Sequence, residues 1–98
     1  MFGLNKIKEA KEQAEVLKQK LATQNFTGAS ANGMVTIQCT GDKRFHTLDI
    51  NDSIFKIRSR EEVQTMILEA IEQASFQADE TVRKEMAAIM PNIPGLNF

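Results

Sequence analysis

Asn32–Asn51, NGMVTIQCTGDKRFHTLDIN, decides the fold. Asn32-Gly33 is a strong hairpin signal, because both residues tolerate the positive φ of a type I′ turn. It joins a strand over about 26–31 to one over about 34–40. A second turn, Gly41-Asp42-Lys43-Arg44, leads into a strand over about 45–50. Pairing across it sets Val35 against Ile50, Ile37 against Leu48 and Cys39 against His46, all on one face. Phe26, Gly28 and Ser30 share that face across the first turn, and the small Gly28 and Ser30 let a helix approach closely. Thr36, Gln38, Thr47 and Asp49 make the other face polar. A slip of one residue would invert both faces, so the register is well specified. Such a one-sided meander does not stand alone and needs helices to cover it.

Helices lie on both sides of the meander. Over about 4–23, Ile7, Ala10, Ala14, Leu17 and Leu21 recur at spacings of 3, 4, 3 and 4 residues, a narrow heptad seam in a Lys/Glu/Gln-rich helix. That seam suits either antiparallel packing on its own chain or contact with a second copy. Ser59-Arg60-Glu61-Glu62 is a capping box opening a helix over about 60–90, which Pro91 ends. Val63, Met66, Ile67, Ala70, Ile71, Ala74 and Ala78 form its sheet-facing stripe, and Val82, Met86 and Ile89 continue it with a drift. The helix is longer than the sheet is wide, so its second half is expected to project. Leu68 and Phe76 fall off the stripe, which points to subunit contacts, or for Phe76 to a place under the first helix. The tail 91–98, partly apolar, can fold back or serve as an arm. The expected class is α+β: an N-terminal helix, a three-stranded antiparallel β-meander and a long C-terminal helix, in one domain over 1–98.

The composition narrows the function. No apolar run approaches the roughly 20 residues of a membrane helix, and the charged N-terminus lacks a signal-peptide core, so a cytoplasmic, membrane-free protein is expected. A lone cysteine, Cys39, forms no internal disulfide. The formal net charge of −1 is unevenly spread: five lysines against three glutamates give +2 over residues 1–24, five cations against three aspartates give +2 over 41–60, and two against seven give −5 over 61–90.

Catalytic readings fail on these residues. Cys39 and His46, as cross-strand neighbours on an apolar face, make a poor nucleophilic pair, because desolvation disfavours the thiolate. Two ligands are too few for zinc. Asp49, Asn51 and Ser53 imitate the start of a calcium loop, but Ile54 stands at its glycine position and Arg60 at its bidentate glutamate. Phosphate-loop, dinucleotide and nucleophile-elbow motifs are missing, so no catalytic residue, metal, cofactor or small-molecule substrate is expected. Binding remains: Lys6, Lys8, Lys11, Lys18 and Lys20 on a rod of about 30 Å, with Arg83 and Lys84, can follow a phosphate backbone.

Several local patterns resemble the YbaB/EbfC family of small bacterial nucleoid-associated proteins. They are the opening Met1-Phe2-Gly3, the run Thr27-Gly28-Ala29-Ser30-Ala31-Asn32-Gly33-Met34-Val35 with Ile37, then Gly41, and Leu48-Asp49-Ile50. Glu80-Thr81 with Lys84-Glu85-Met86, and Pro94-Gly95-Leu96 with Phe98, continue the likeness over nearly the whole chain. The resemblance implies a homodimer at the nucleoid that binds double-stranded DNA with little or loose sequence preference, helices projecting from the dimer to grip the duplex. Leu17, Leu21, Leu68 and Phe76 are the expected interface, and Lys6, Lys8, Lys11, Lys18, Lys20, Arg83 and Lys84 the expected phosphate contacts. The competing reading is a small dimeric chaperone or adaptor holding a protein partner through its exposed helices, which the acidic second helix suits.

Overall fold

The computed structural model describes the backbone of residues 2–89 and the side chains of residues 5–89. The tail from Pro91 lies outside them. The elements are α1 (Phe2–Thr23), β1 (Asn25–Ala29), β2 (Val35–Thr40), β3 (Phe45–Ile50), a short α2 (Ile54–Ile57) and α3 (Arg60–Ile89). The strands form one antiparallel sheet in the order β1-β2-β3. The α+β reading is correct, and α2 is an addition to it.

The first hairpin has the expected register through a different turn. Phe26 faces Cys39 and Gly28 faces Ile37. Among the described residues only Gly33 (φ 73°) and Lys43 (φ 61°) have positive φ, so Asn32-Gly33 is not a type I′ turn. Instead Gly33 N–H donates to Ser30 C=O (2.9 Å), closing a turn over Ser30–Gly33, and Ser30 N–H donates to Val35 C=O (2.8 Å). Asn32 works through its side chain, whose Oδ1 accepts from Met34 N–H (3.1 Å) and from the Ser30 hydroxyl (2.8 Å). The side-chain oxygen of an asparagine can take over a backbone role in a turn. The observed turn leaves the same residues opposite one another as a type I′ turn at Asn32-Gly33 would, so the register survives.

The second hairpin departs from expectation at its open end. Val35 faces Ile50, Ile37 faces Leu48 and Gln38 faces Thr47, but Cys39 faces Phe45, with the ladder irregular at Gln38/Cys39. A bulge therefore inserts His46 as the extra residue. The expected Cys39–His46 pair does not form. His46 is exposed and hydrogen-bonds Asn25 Oδ1 and Thr47 Oγ1 at 2.8 Å each, while Cys39 is fully buried. Lys43 in the left-handed region explains the shift: the turn over Thr40–Lys43, with Lys43 N–H donating to Thr40 C=O (2.9 Å), brings pairing back one residue early, and the extra residue His46 restores the expected register from Thr47 onward.

Helix α3 lies over β1 and β2, burying Val63, Met66, Ala70, Ala74 and Ala78 against Phe26, Val35, Ile37 and Cys39. The alanine stripe and Gly28 set the spacing. A Cβ at Gly28 would meet the Ala70 carbonyl oxygen and come within 2.5 Å of Ala74 N and 2.9 Å of Ala74 Cβ. The capping box is present, with Glu62 N–H donating to Ser59 Oγ (3.2 Å) and Ser59 N–H to Glu62 Oε1 (3.3 Å). These bonds from Ser59, then Arg58, hold the Glu62 carboxyl below its ordinary range. On the outer side of β1, the Ala29 N–H donates to Gln73 Oε1, so a helix side chain occupies an edge-strand donor.

Candidate nucleic-acid interface

The end of the sheet that carries the β2–β3 turn is also where α1 leaves it. Gly41 N–H donates to the Leu21 carbonyl (2.8 Å), and a side chain at Gly41 would strike that same carbonyl. Lys43 on the turn bridges to Asp79 of α3 at 3.2 Å. From this junction α1 runs back alongside the far half of α3, where Val82, Met86 and Ile89 are partly buried against the core cluster. The heptad seam is thus used within the chain: Ala10, Leu17 and Leu21 are buried. The result is a two-helix arm on a small sheet, and the molecule measures 66 × 22 × 15 Å. The projecting second half of α3 is present, and α1 accompanies it.

Every lysine of α1 lies on the surface of this arm: Lys6, Lys8, Lys11, Lys18 and Lys20 are exposed. Among the described residues none of the five takes part in an ion pair, whereas Lys43, Arg44, Arg58 and Arg83 are paired with Asp79, Asp42, Glu62 and Glu80. Helical periodicity puts Lys11 and Lys18 on one flank of the buried seam and Lys6 and Lys20 on the other, with Lys8 near the solvent pole. Lys84 is exposed, and Arg83 is held by Glu80 at 2.8 Å, a contact that also raises its affinity for its proton. An exposed pair of this kind is weak and yields readily to a phosphate.

The expected interface residues divide. Leu17 and Leu21 are already inside the subunit's own core. Leu68 and Phe76 are 61% and 64% exposed on the outer face of α3, so Phe76 is not covered by α1. Phe76 lines an open recess with Ala29, Ala31, Glu69, Glu72 and Gln73. A second exposed apolar set was not expected from the sequence: Phe45 and Leu48 of β3, 41% and 49% exposed, followed by Phe55 and Ile57 of α2. One helix is about 10 Å across and strands lie about 4.8 Å apart, so α3 spans two strands and β3 overhangs. That width argument is the signal in the sequence that would have exposed β3.

Cys39 is fully buried, and burial first and Asp79 second push its thiol up, which disfavours the thiolate. Among the described residues no group of His, Cys, Asp and Glu is arranged to hold a metal. None of their helices is long and apolar enough to cross a membrane.

An array of unpaired cations on a projecting arm is what a polyanion ligand requires, and the comparisons agree. The chain matches the YbaB/EbfC DNA-binding family over residues 2–93. It belongs to that family. A nucleoid-associated protein of Streptococcus pyogenes serotype M1 is 34% identical over 93 residues, covering 92% of this chain and 94% of the relative. A nucleoid-associated protein of Streptococcus agalactiae serotype III is 32% identical over the same length and coverage. Among solved structures, an uncharacterized protein from Helicobacter pylori superposes with a TM-score of 0.71 at 24% identity, over 88% of this chain and 89% of its own. That likeness shows the shared fold. As a YbaB/EbfC member at this level of identity, the chain is a nucleoid-associated DNA-binding protein.

Proposed function

We propose that this YbaB/EbfC protein works in the bacterial cytoplasm as a non-enzymatic homodimer. It binds duplex DNA with little or loose sequence preference through phosphate contacts on the α1 arm. The observation that carries this reading is the set of five exposed α1 lysines free of ion pairs among the described residues. Lys84 and Arg83 extend the set on α3. Lysine is a mobile point charge suited to phosphate and contributes no base readout by itself. The glutamates of α1 and the acidic outer face of α3 keep the field local, so the arm and not the whole surface meets the duplex.

The second copy covers the β3 overhang. Phe45, Leu48, Phe55 and Ile57 lie on consecutive elements and leave a large apolar area in water, the signature of a subunit contact. Pairing there buries surface that α3 is too narrow to reach and leaves both arms clear. Two arms then act on one polyanion, which raises the effective affinity above that of one.

Fluorescence anisotropy with duplex DNA at several salt concentrations tests the reading. With about three phosphates engaged per subunit, the log–log salt slope of a dimer is about −5. Absence of binding at low salt, or binding indifferent to salt, refutes it. The adaptor reading keeps one supporting observation, the exposed Leu68 and Phe76 beside Glu69 and Glu72. Protein partners captured from nuclease-treated lysate, and lost in Leu68→Ser with Phe76→Ser, would favour it.

A further inference from the structure

We infer that the outer face of α3 docks an arginine-bearing, apolar-anchored segment of another protein, apart from the arm that meets the duplex. Over residues 61–80 the helix carries Glu61, Glu62, Glu69, Glu72, Asp79 and Glu80 and no lysine or arginine. Among the described residues Glu62, Asp79 and Glu80 are paired with Arg58, Lys43 and Arg83, whereas Glu61, Glu69 and Glu72 take part in no ion pair. Leu68, Glu72 and Phe76 follow one another at steps of four residues and so share a face. Both apolar side chains on that face are more than half exposed. Between the helix and the β1 rim lies an open recess of about 540 Å³, lined by Ala29, Ala31, Glu69, Glu72, Gln73 and Phe76.

Charge complementarity chooses the occupant. A duplex is repelled, because unpaired carboxylates would face its phosphates. A second copy in a two-fold contact is disfavoured as well: such a contact is self-complementary and would set Glu69 and Glu72 against the same carboxylates of the other chain. What fits is a cation with an apolar neighbour. A guanidinium laid on the exposed Phe76 ring gains a cation–π contact, and its planar fork meets the carboxylate of Glu72, one helical turn away on the same face. An adjoining apolar side chain enters the recess along Ala29 and Ala31. Leu68, about 12 Å further along the helix, supplies a second anchor. The strip ends at Phe76, before Val82, Met86 and Ile89, where α1 lies alongside. Partner and duplex are therefore held by different parts of the molecule.

The test contains no DNA, so its failure is distinct from failure of the duplex reading. The probe is a short fluorescent peptide of alternating arginine and leucine, titrated into the full chain by anisotropy. Amide shifts are followed on isotope-labelled protein. Saturable binding is expected, with shifts gathered at Ala29, Ala31, Leu68, Glu72 and Phe76. Phe76→Ser is expected to weaken binding severalfold, which attraction between net charges alone would not produce. Adding Glu69→Lys and Glu72→Lys is expected to bring the loss to at least about tenfold, with circular dichroism unchanged because all three side chains are exposed. A peptide with glutamate in place of arginine is expected to bind the Glu69→Lys, Glu72→Lys chain better than it binds the parent. The inference is overturned by absence of saturable binding, by affinity indifferent to Phe76→Ser, or by shifts gathered on α1 or β3 instead. Self-association of the parent chain that disappears with these substitutions would also overturn it, assigning the face to a second copy.

Discussion

Gly28→Ala is the sharpest test of how this fold is held together, because a single methyl is asked to enter occupied space. The new Cβ would sit 2.5 Å from Ala74 N and 2.9 Å from Ala74 Cβ, and would also strike the Ala70 carbonyl oxygen. Ordinary contact begins near 3.4 Å, so α3 must retreat by 3.4 − 2.5, about 1 Å, from a sheet it contacts along Val63–Ala78. Two of the three obstacles are backbone atoms of a helix, which cannot rotate away. Overpacking a core costs about 1–3 kcal/mol when side chains can adjust. With backbone as the obstacle the upper end applies, about 3 kcal/mol, partly offset by a few tenths because alanine is less costly than glycine to order in a strand. At about 4–8 °C per kcal/mol for a domain of this size, the melting temperature falls by more than about 10 °C. Differential scanning calorimetry and urea unfolding measure it. Adding Ala74→Gly removes only the Cβ obstacle and is expected to restore less than half of the loss. A Gly28→Ala protein within about 1 kcal/mol of the parent would refute the close-approach argument, whereas the values above would uphold it.

Other outcomes follow from the same geometry. Lys11→Gln with Lys18→Gln weakens duplex binding evenly across sequences and shrinks the salt slope by about 1 for each lysine that contacts phosphate, with the melting temperature unchanged. If two copies pair over β3 as proposed, Leu48→Asp is expected to leave a single folded chain of 11.0 kDa, read by light scattering, with circular dichroism preserved. Ser59→Ala removes the N-cap of α3 and costs about 1 kcal/mol in urea unfolding. The carboxyls of Asp42 and Glu62 are held below their ordinary values of 3.8 and 4.5, chiefly by the Thr40 hydroxyl and by Ser59. Lowered carboxyl values mean that this stabilisation is present above those values and lost as pH falls through and below them. Acid titration of unfolding is therefore expected to show a loss below about pH 4.5 that is smaller in Ser59→Ala.

Much of this fold could be read before any coordinates, wherever a local rule and the global pattern agreed. The Gly28 position, the Ser59–Glu62 box and the alanine stripe of α3 each have one physical meaning, and each holds. The misreadings share a different cause. Asn32-Gly33 satisfies several turn types, and the side-chain oxygen of Asn32 chose among them without disturbing the register. Lys43 accepted a left-handed conformation that its identity does not advertise, and the bulge that followed moved His46 away from Cys39. Apolar alternation in β3 says that one face avoids water but not whether the cover comes from the same chain. The helix-one seam left open whether Leu17 and Leu21 met α3 or a second copy, and α3 proved long enough to take them. The cations of α1 were visible as letters, but that none of them takes part in an ion pair among the described residues, with Glu9, Glu12 and Glu15 on the same helix, depends on side-chain positions in space.

The Gln73 carboxamide on the Ala29 amide gives the sheet a polarity. On the β1 rim, only five residues long, one of the few outward donors is already taken, too little remaining for another chain to zip alongside. Among the described residues no side chain guards the β3 rim in this way. Were two copies to meet two-fold at that rim, they would use up the side left open to templating, and a polymer of sheets would have nowhere to continue.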